Sequence, residues 1–270
     1  MSKIEETFRN LKEREEGALI AYVTGGDPTP EFTPKIVGAL IAGGADIVEL
    51  GIPFSDPIAD GPTIQAATVR ALRARTTPKM VLEMAREIKK DFYIPTIILT
   101  YYNPIFRMNP EKFLGLARNC NIDGIIVPDL PFEEAYDYKR IAETNGIDTI
   151  FIASPSTSLK RLEKIIGYTS GFLYLVSLFG VTGAREEIQM STIQLIKRVA
   201  THTAGRIPLA VGFGISKPGH VKTVIKNGAE GAIVGSTFVE VIERNLNDKE
   251  KTLRSLEQVA RKLKKACRNR

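Results

Sequence analysis

The 270 residues, 43% hydrophobic and 25% charged, make a chain long enough for one large α/β domain or two small ones, with too much apolar content for disorder to be its main state. The formal charge of +6 gathers at the C-terminal "RKLKKACRNR", where no aromatics are interleaved for base stacking, so it reads as a solvated helical face and no nucleic-acid partner is expected. Two cysteines, Cys120 and Cys267, are too few for a disulfide framework or a thiolate metal site, and no apolar run reaches the roughly 20 residues of a membrane span.

The N-terminal "SKIEETFRNL" predicts a helix, with Ser2 and Glu5 at capping-box spacing and Ile4, Phe8 and Leu11 on one face. Its acidic residues and lack of an apolar centre do not suit a secretory signal, so a cytoplasmic location is expected. Eight apolar runs rich in β-branched residues follow, each ended by Gly, Pro or Asp. They are "ALIAYVTGG" (18–26), "DIVELGIPF" (46–54), "PTIILTYY" (95–102), "GIIVPDL" (124–130), "DTIFIAS" (148–154), "GFLYLVSL" (171–178), "IPLAVGFG" (207–214) and "GAIVGS" (231–236). Continuous rather than alternating apolar character means strands covered on both faces, as in a parallel sheet.

Helices are predicted between them over 31–43, 78–91, 110–120, 133–145, 158–167, 192–204 and 217–228. "NPEKF" and "KPGHV" place Pro near a helix start, and "ETNG" and "IKNG" place Gly just past a helix end. Eight strand-then-helix units predict a (β/α)8 TIM barrel, with the extra N-terminal helix across its bottom. No linker or compositional break divides the chain, so residues 1–270 are read as a single domain. A doubly wound sheet is the alternative; the eightfold count and the lack of G-x-G-x-x-G after the first strand argue against it.

In such a barrel the strand C-termini and the loops after them carry the chemistry. Glu49 falls late in the second strand, where an inward carboxylate at the mouth acquires a raised pKa and can exchange a proton near neutral pH; an ion-paired strand residue is the plain alternative. Asp56 and Asp60 lie in the long following loop, "SDPIADGP", as lid residues or as turn and cap residues for a helix starting near Pro62. "GVTGAR", "GFGIS" and "GSTF" follow the sixth, seventh and eighth strands, and glycine turns there make an anion cradle suited to a phosphorylated substrate. Tyr22, Leu99, Ile126, Tyr174 and Phe213 stand at strand ends, where they line an apolar slot or pack the core. His202 and His220 fall in or beside helices and are read as structural.

The segment "VELGIPFSDPIADGPTIQAA", with "YVTGGDP", "YYNPIF", "VPDLPFEE", "GVTGAR" and "VGFGIS" in the same order, resembles the tryptophan synthase α chains over nearly the whole sequence. The resemblance implies a lyase that splits indole-3-glycerol phosphate by a retro-aldol reaction into indole and glyceraldehyde 3-phosphate, with Glu49 and Asp60 as its catalytic carboxylates. It implies Tyr174 as a secondary hydrogen-bonding residue, Gly183, Gly214, Gly235 and Ser236 around the phosphate, and Tyr22, Leu99, Ile126, Thr182 and Phe213 around the indole. Pro53 and Asp56 become lid or interface residues toward a PLP-dependent β chain in an αββα complex, and no metal or organic cofactor is implied in this chain. Leu178, Phe179 and Tyr22 depart from residues common in the family.

Three other readings remain: a freestanding lyase, a non-catalytic subunit that activates a β chain, and another phosphate-binding barrel. A Schiff-base aldolase would want a Lys near a strand end and a metal-dependent epimerase clustered His and Asp, and neither occurs in the eight runs.

Overall fold

A computed structural model describes residues 1–176, 188–212 and 214–268. The chain opens with α1 (Lys3–Glu13), then β1 (Ala18–Thr24), α2 (Thr33–Ala42), β2 (Ile47–Gly51), α3 (Pro62–Arg73), α4 (Pro78–Asp91) and β3 (Thr96–Leu99). The middle holds α5 (Tyr102–Met108), α6 (Pro110–Asn119), β4 (Gly124–Ile126), α7 (Tyr136–Thr144), β5 (Asp148–Ile150), β6 (Ile152–Ala153), α8 (Leu159–Tyr168) and β7 (Leu173–Val176). It ends with α9 (Met190–Thr203), β8 (Leu209–Gly212), α10 (Pro218–Lys226), β9 (Gly231–Val234), α11 (Ser236–Arg244) and α12 (Lys249–Ala266). None of the described helices is long and apolar enough to cross a membrane.

The strands pair in parallel in the order β5-β4-β3-β2-β1-β9-β8-β7-β6. Only Phe151 separates β5 from β6, and its carbonyl accepts from Tyr174 N at 3.1 Å. The two short strands are therefore halves of one stave, β5 pairing with β4 and β6 with β7, and the barrel closes through it. The eight expected runs are the eight staves, and "DTIFIAS" is the one that divides.

Alternation along the staves accounts for their unbroken apolar character. In β1, Leu19, Ala21 and Val23 face the helices, while Ala18 and Ile20 join Ile47, Ile97, Ile126, Ile150, Phe172, Tyr174, Ala210 and Ile233 inside the barrel. The capping box at Ser2 and Glu5 starts α1, and its Ile4, Phe8 and Leu11 enter that interior cluster from below. Phe8 meets the Phe172 ring at 5.8 Å. Burial of these three side chains, at about 1.5–3 kcal/mol each, makes α1 a stopper for the end of the barrel away from the chemistry. Gly146 and Gly228 carry φ of 68° and 108° just past α7 and α10, and Pro110 and Pro218 begin α6 and α10, as expected.

Carboxylates stitch the segments ahead of the strands. Asp46 Oδ2 accepts from Leu19 N at 2.7 Å and from Lys264 Nζ at 2.9 Å, while Asp123 Oδ2 accepts from Thr96 N at 2.7 Å and from the Lys89 ammonium. Lys264 corrects the reading of the basic C-terminus as a solvated face: α12 is amphipathic, burying Leu256, Ala260 and Leu263 together with Lys264, whose charge is met by Asp46 and Glu16. The short α5 was not expected, because seven residues containing Pro104 carry too little periodicity; Asp129 Oδ1 receives its Tyr102 N–H at 2.9 Å.

Candidate active site

The parallel strands all end at one mouth, and β2 delivers a carboxylate to it. Tyr22 lies opposite Glu49 in the β1–β2 register, and Glu49 opposite Ile97 in β2–β3. Ile47 faces the interior, so period-two alternation turns Glu49 inward as well. Its side chain is sealed, with 1% of the residue exposed, and Oε2 has no hydrogen-bond partner. No ion pair among the described residues includes Glu49. Burial first, and the negative charge of Asp60 second, push its pKa up to about 8.

Asp60 arrives on the loop between β2 and α3. Pro53 is buried at the foot of this loop, whereas Asp56 and Ile58 are exposed at its crest and Asp60 is half-buried on the way back. Asp56 N-terminal neighbour Ser55 donates its hydroxyl to Asp56 Oδ2 at 2.5 Å, and Ile58 N bonds the Asp56 carbonyl at 2.9 Å, so Asp56 organises the turn. Gly61, not Asp60, is the N-cap of α3, which leaves the Asp60 carboxyl available for something other than capping. Burial raises its pKa to about 6, against the opposing pull of a hydrogen bond with the Tyr101 hydroxyl.

Tyr101 was missed in the sequence. It sits just past β3, buried, where an aromatic reads as packing. Its hydroxyl also accepts from Ala59 N at 2.9 Å, and its ring lies 5.4 Å from that of Phe54, so it pins both limbs of the loop and aims Asp60. The "YYNPIF" motif was the available signal.

Two further tyrosines occupy the mouth, each in space left by a glycine on the next strand. A Cβ at Gly51 would stand 2.3 Å from the Tyr22 hydroxyl, and one at Gly212 would stand 2.4 Å from the Tyr174 hydroxyl. Burial holds both phenols well above their ordinary pKa, with Glu49 and Asp60 adding to the effect, so both remain protonated. The Tyr22 hydroxyl lies 3.2 Å from Thr24 Oγ1. Ile126 and Tyr174 belong to the interior cluster, and half-buried Leu99 bridges it to Tyr22, so these expected slot residues do come together.

On the far rim, Gly235 is the N-cap of α11 and supplies no side-chain bond to the first turn, leaving the amide donors of that turn without a side-chain cap. A Cβ at Gly235 would lie 3.0 Å from Tyr22 Cδ1, which places this helix start against the tyrosine. Gly214 is exposed with φ of +78° and open space around it. Thr237 Oγ1 donates to the Ser216 carbonyl at 3.1 Å, joining the start of α11, next to Ser236, to the turn after β8. Thr182, Gly183 and Phe213, with Leu178 and Phe179, lie outside the described residues. His202 Nδ1 is 2.8 Å from the Glu163 carboxylate on α8, and His220 is buried in α10. Among the described residues, no group of three or more potential metal ligands is gathered.

The family model for the tryptophan synthase alpha chain matches residues 8–268. The tryptophan synthase alpha chain of Methanosarcina barkeri is 49% identical over 262 residues, covering 97% of this chain and 96% of that protein. That of Solibacter usitatus is 45% identical over 265 residues, covering 98% of both. Among solved structures, a mutant alpha-subunit from Pyrococcus furiosus superposes with a TM-score of 0.84 at 40% identity, over 92% of this chain and 98% of that one. The alpha chain from Legionella pneumophila gives 0.90 at 33% identity, over 100% and 98%.

Proposed function

This chain belongs to the tryptophan synthase alpha chain family, as the alpha subunit in tryptophan biosynthesis, and on that premise we propose that Glu49 and Asp60 perform the retro-aldol cleavage of indole-3-glycerol phosphate. The observation that carries the reading is the pair of mouth carboxylates whose surroundings separate their pKa values, to about 8 and about 6. Between those pH values Glu49 is an acid and Asp60 an anion, and two carboxyl groups thereby hold two roles.

Cleavage needs both. Glu49 delivers its proton to C3 of the indole, and the positive charge that develops on the ring is met at N–H by Asp60. Glu49, now a carboxylate, accepts the proton of the glycerol hydroxyl beside the C3 substituent bond. As that O–H electron pair becomes the aldehyde C=O, the C–C bond breaks and its electrons return to the ring. Indole and glyceraldehyde 3-phosphate leave, Glu49 has its proton back, and nothing is oxidised or reduced. The substrate's own ring is the electron sink, so the step asks for no organic cofactor in this chain.

Tyr22, Leu99, Ile126 and Tyr174 surround the ring in this reading, with Thr182 and Phe213, and the Tyr174 hydroxyl serves the reacting end. Gly235 and Ser236 at the start of α11, Gly214, and Gly183 receive the phosphate, where backbone N–H groups and the helix dipole favour an anion. The exposed crest at Asp56 and Ile58 faces the β chain, while buried Pro53 anchors it.

The test is indole release from indole-3-glycerol phosphate, with and without a β chain, comparing native protein with Glu49→Gln. Release that the β chain stimulates and the substitution cuts by about a hundredfold or more supports lyase and partnership together. Release unaffected by a β chain points to a freestanding lyase. Binding of a β chain without release would reduce the protein to an activating subunit.

A further inference from the structure

Arg70, on the outer wall of the mouth, holds three segments at once. Its Nε and Nη2 donate to the two oxygens of Asp27 at 2.7 and 2.9 Å, and its Nη1 donates to Glu243 Oε1 at 3.0 Å. Asp27 belongs to the turn after β1 and is 1% exposed, Arg70 is on α3, and Glu243 is on α11. The turn is itself confined: Gly25 N bonds the Gly51 carbonyl at 2.8 Å and Gly26 N the Thr33 hydroxyl at 2.9 Å.

The two helices it joins lead to opposite ends of the site. Asp60 stands two residues before Pro62, the first residue of α3, while α11 starts at Ser236 with Gly235 as its cap. Nearer the mouth, Ala67 of α3 and Val239 of α11 form one apolar cluster with Tyr22, and Ile64 packs on it. Ala67 precedes Arg70 by three residues and Val239 precedes Glu243 by four, so the clamp and the apolar contact share the same faces of the same two helices. The apolar cluster resists separation but has little direction; a planar guanidinium bonded on both sides fixes how the helices lie along each other.

We infer that Arg70 is a positioning residue that couples the two ends of the site, its three hydrogen bonds to Asp27 and Glu243 holding the helix behind Asp60 in register with the helix that receives the phosphate. The inference rests on the lyase reading above. A misplacement of about 1 Å between the two ends is enough to cost about a hundredfold in rate, so a clamp of this kind acts on turnover as well as on the fold.

The experiment compares Arg70→Met, Arg70→Lys and Glu243→Ala in the full chain with β chain present. It measures kcat and KM for indole-3-glycerol phosphate, the affinity for glycerol 3-phosphate by calorimetry, and the melting temperature. Glu243→Ala leaves the Asp27 pair and cuts only the tie to α11; it should lower kcat about threefold to tenfold and weaken glycerol 3-phosphate binding by a similar factor. Arg70→Met should lower kcat by about tenfold or more, and Arg70→Lys should recover only part of the loss, since an ammonium cannot reproduce the two-sided fork. Values of kcat and glycerol 3-phosphate affinity within about twofold of native, at a temperature where the variants are folded, would overturn the inference and leave Arg70 a purely stabilising residue. Should Arg70→Met not fold, Arg70→Lys and Glu243→Ala decide on the same readouts. Should native protein fail to cleave the substrate, the lyase reading falls by itself and the glycerol 3-phosphate affinities still decide the coupling.

Discussion

Glu49→Gln should make the chain more stable in alkaline solution while removing its activity. The side chain is sealed inside the mouth, and its pKa rises from 4.5 to about 8 on folding. Between those values the folded chain retains a proton that the unfolded chain has released, so the stability this group contributes is complete below about pH 4.5 and declines until about pH 8. The distance from 4.5 to about 8, at about 1.4 kcal/mol per pH unit, corresponds to about 5 kcal/mol when Glu49 is fully ionised. Glutamine keeps the shape and never ionises. The difference in unfolding free energy between variant and native should therefore widen by about 3–5 kcal/mol from pH 5 to pH 9, other titrating groups cancelling in the comparison. Urea unfolding followed by circular dichroism at pH 5, 7 and 9 measures it. Two curves that stay parallel within about 1 kcal/mol across that range would refute the raised pKa and with it the assignment of Glu49 as an acid at neutral pH.

Asp60→Asn should cut turnover by about a hundredfold or more and, by removing the negative charge beside Glu49, move the Glu49 titration downward; a carboxyl signal followed by isotope-edited infrared spectroscopy against pH would report that shift. Gly235→Asp should weaken glycerol 3-phosphate binding measured by calorimetry, since it sets a like charge at the start of α11 and a Cβ 3.0 Å from Tyr22; unchanged affinity would move the phosphate elsewhere. Lys264→Ala should destabilise the chain by about 2–4 kcal/mol in urea unfolding, because it takes from Asp46 the only cation it meets among the described residues while Glu16 keeps Arg268, and kcat should stay near native.

What the sequence could disclose depended on whether the signal was local. The eight staves were legible because each buries both faces and therefore reads as an unbroken apolar run, and Glu49 was legible because a charge interrupts one of them. Asp60 was legible as a candidate, but its alternative as a helix cap could be set aside only when Gly61 proved to hold that position. Tyr101 could not be singled out, since an aromatic at a strand end is ordinary packing until its hydroxyl is found on the loop that carries Asp60. Arg70 was out of reach for a different reason: its partners lie 43 and 173 residues away, and charged residues on amphipathic helices look alike. Lys264 was misread on the same ground, because a run of basic residues does not reveal which of its members turns inward.

These contrasts bear on why Glu49 has the pKa it has. Other carboxylates around this barrel are partly or fully buried, and several of them meet a cation. Asp27 has a guanidinium fork; Asp123 has Lys89 and a backbone N–H; Asp46 has Lys264 and a backbone N–H, so that although burial raises its pKa, its partners draw it back. Around Glu49 the two influences, burial and Asp60, act in one direction. Burial raises the pKa of Asp27, Asp46 and Asp148 as well, but there a hydrogen bond or a cation pulls the other way, whereas nothing opposes it at Glu49. The same omission makes the proton available near neutral pH and makes the fold weaker above it, so the alkaline stability gained by Glu49→Gln and the turnover it loses are two readings of one interaction. A substitution that restored stability by giving Glu49 a cationic partner should for that reason lower its pKa and its competence as an acid together.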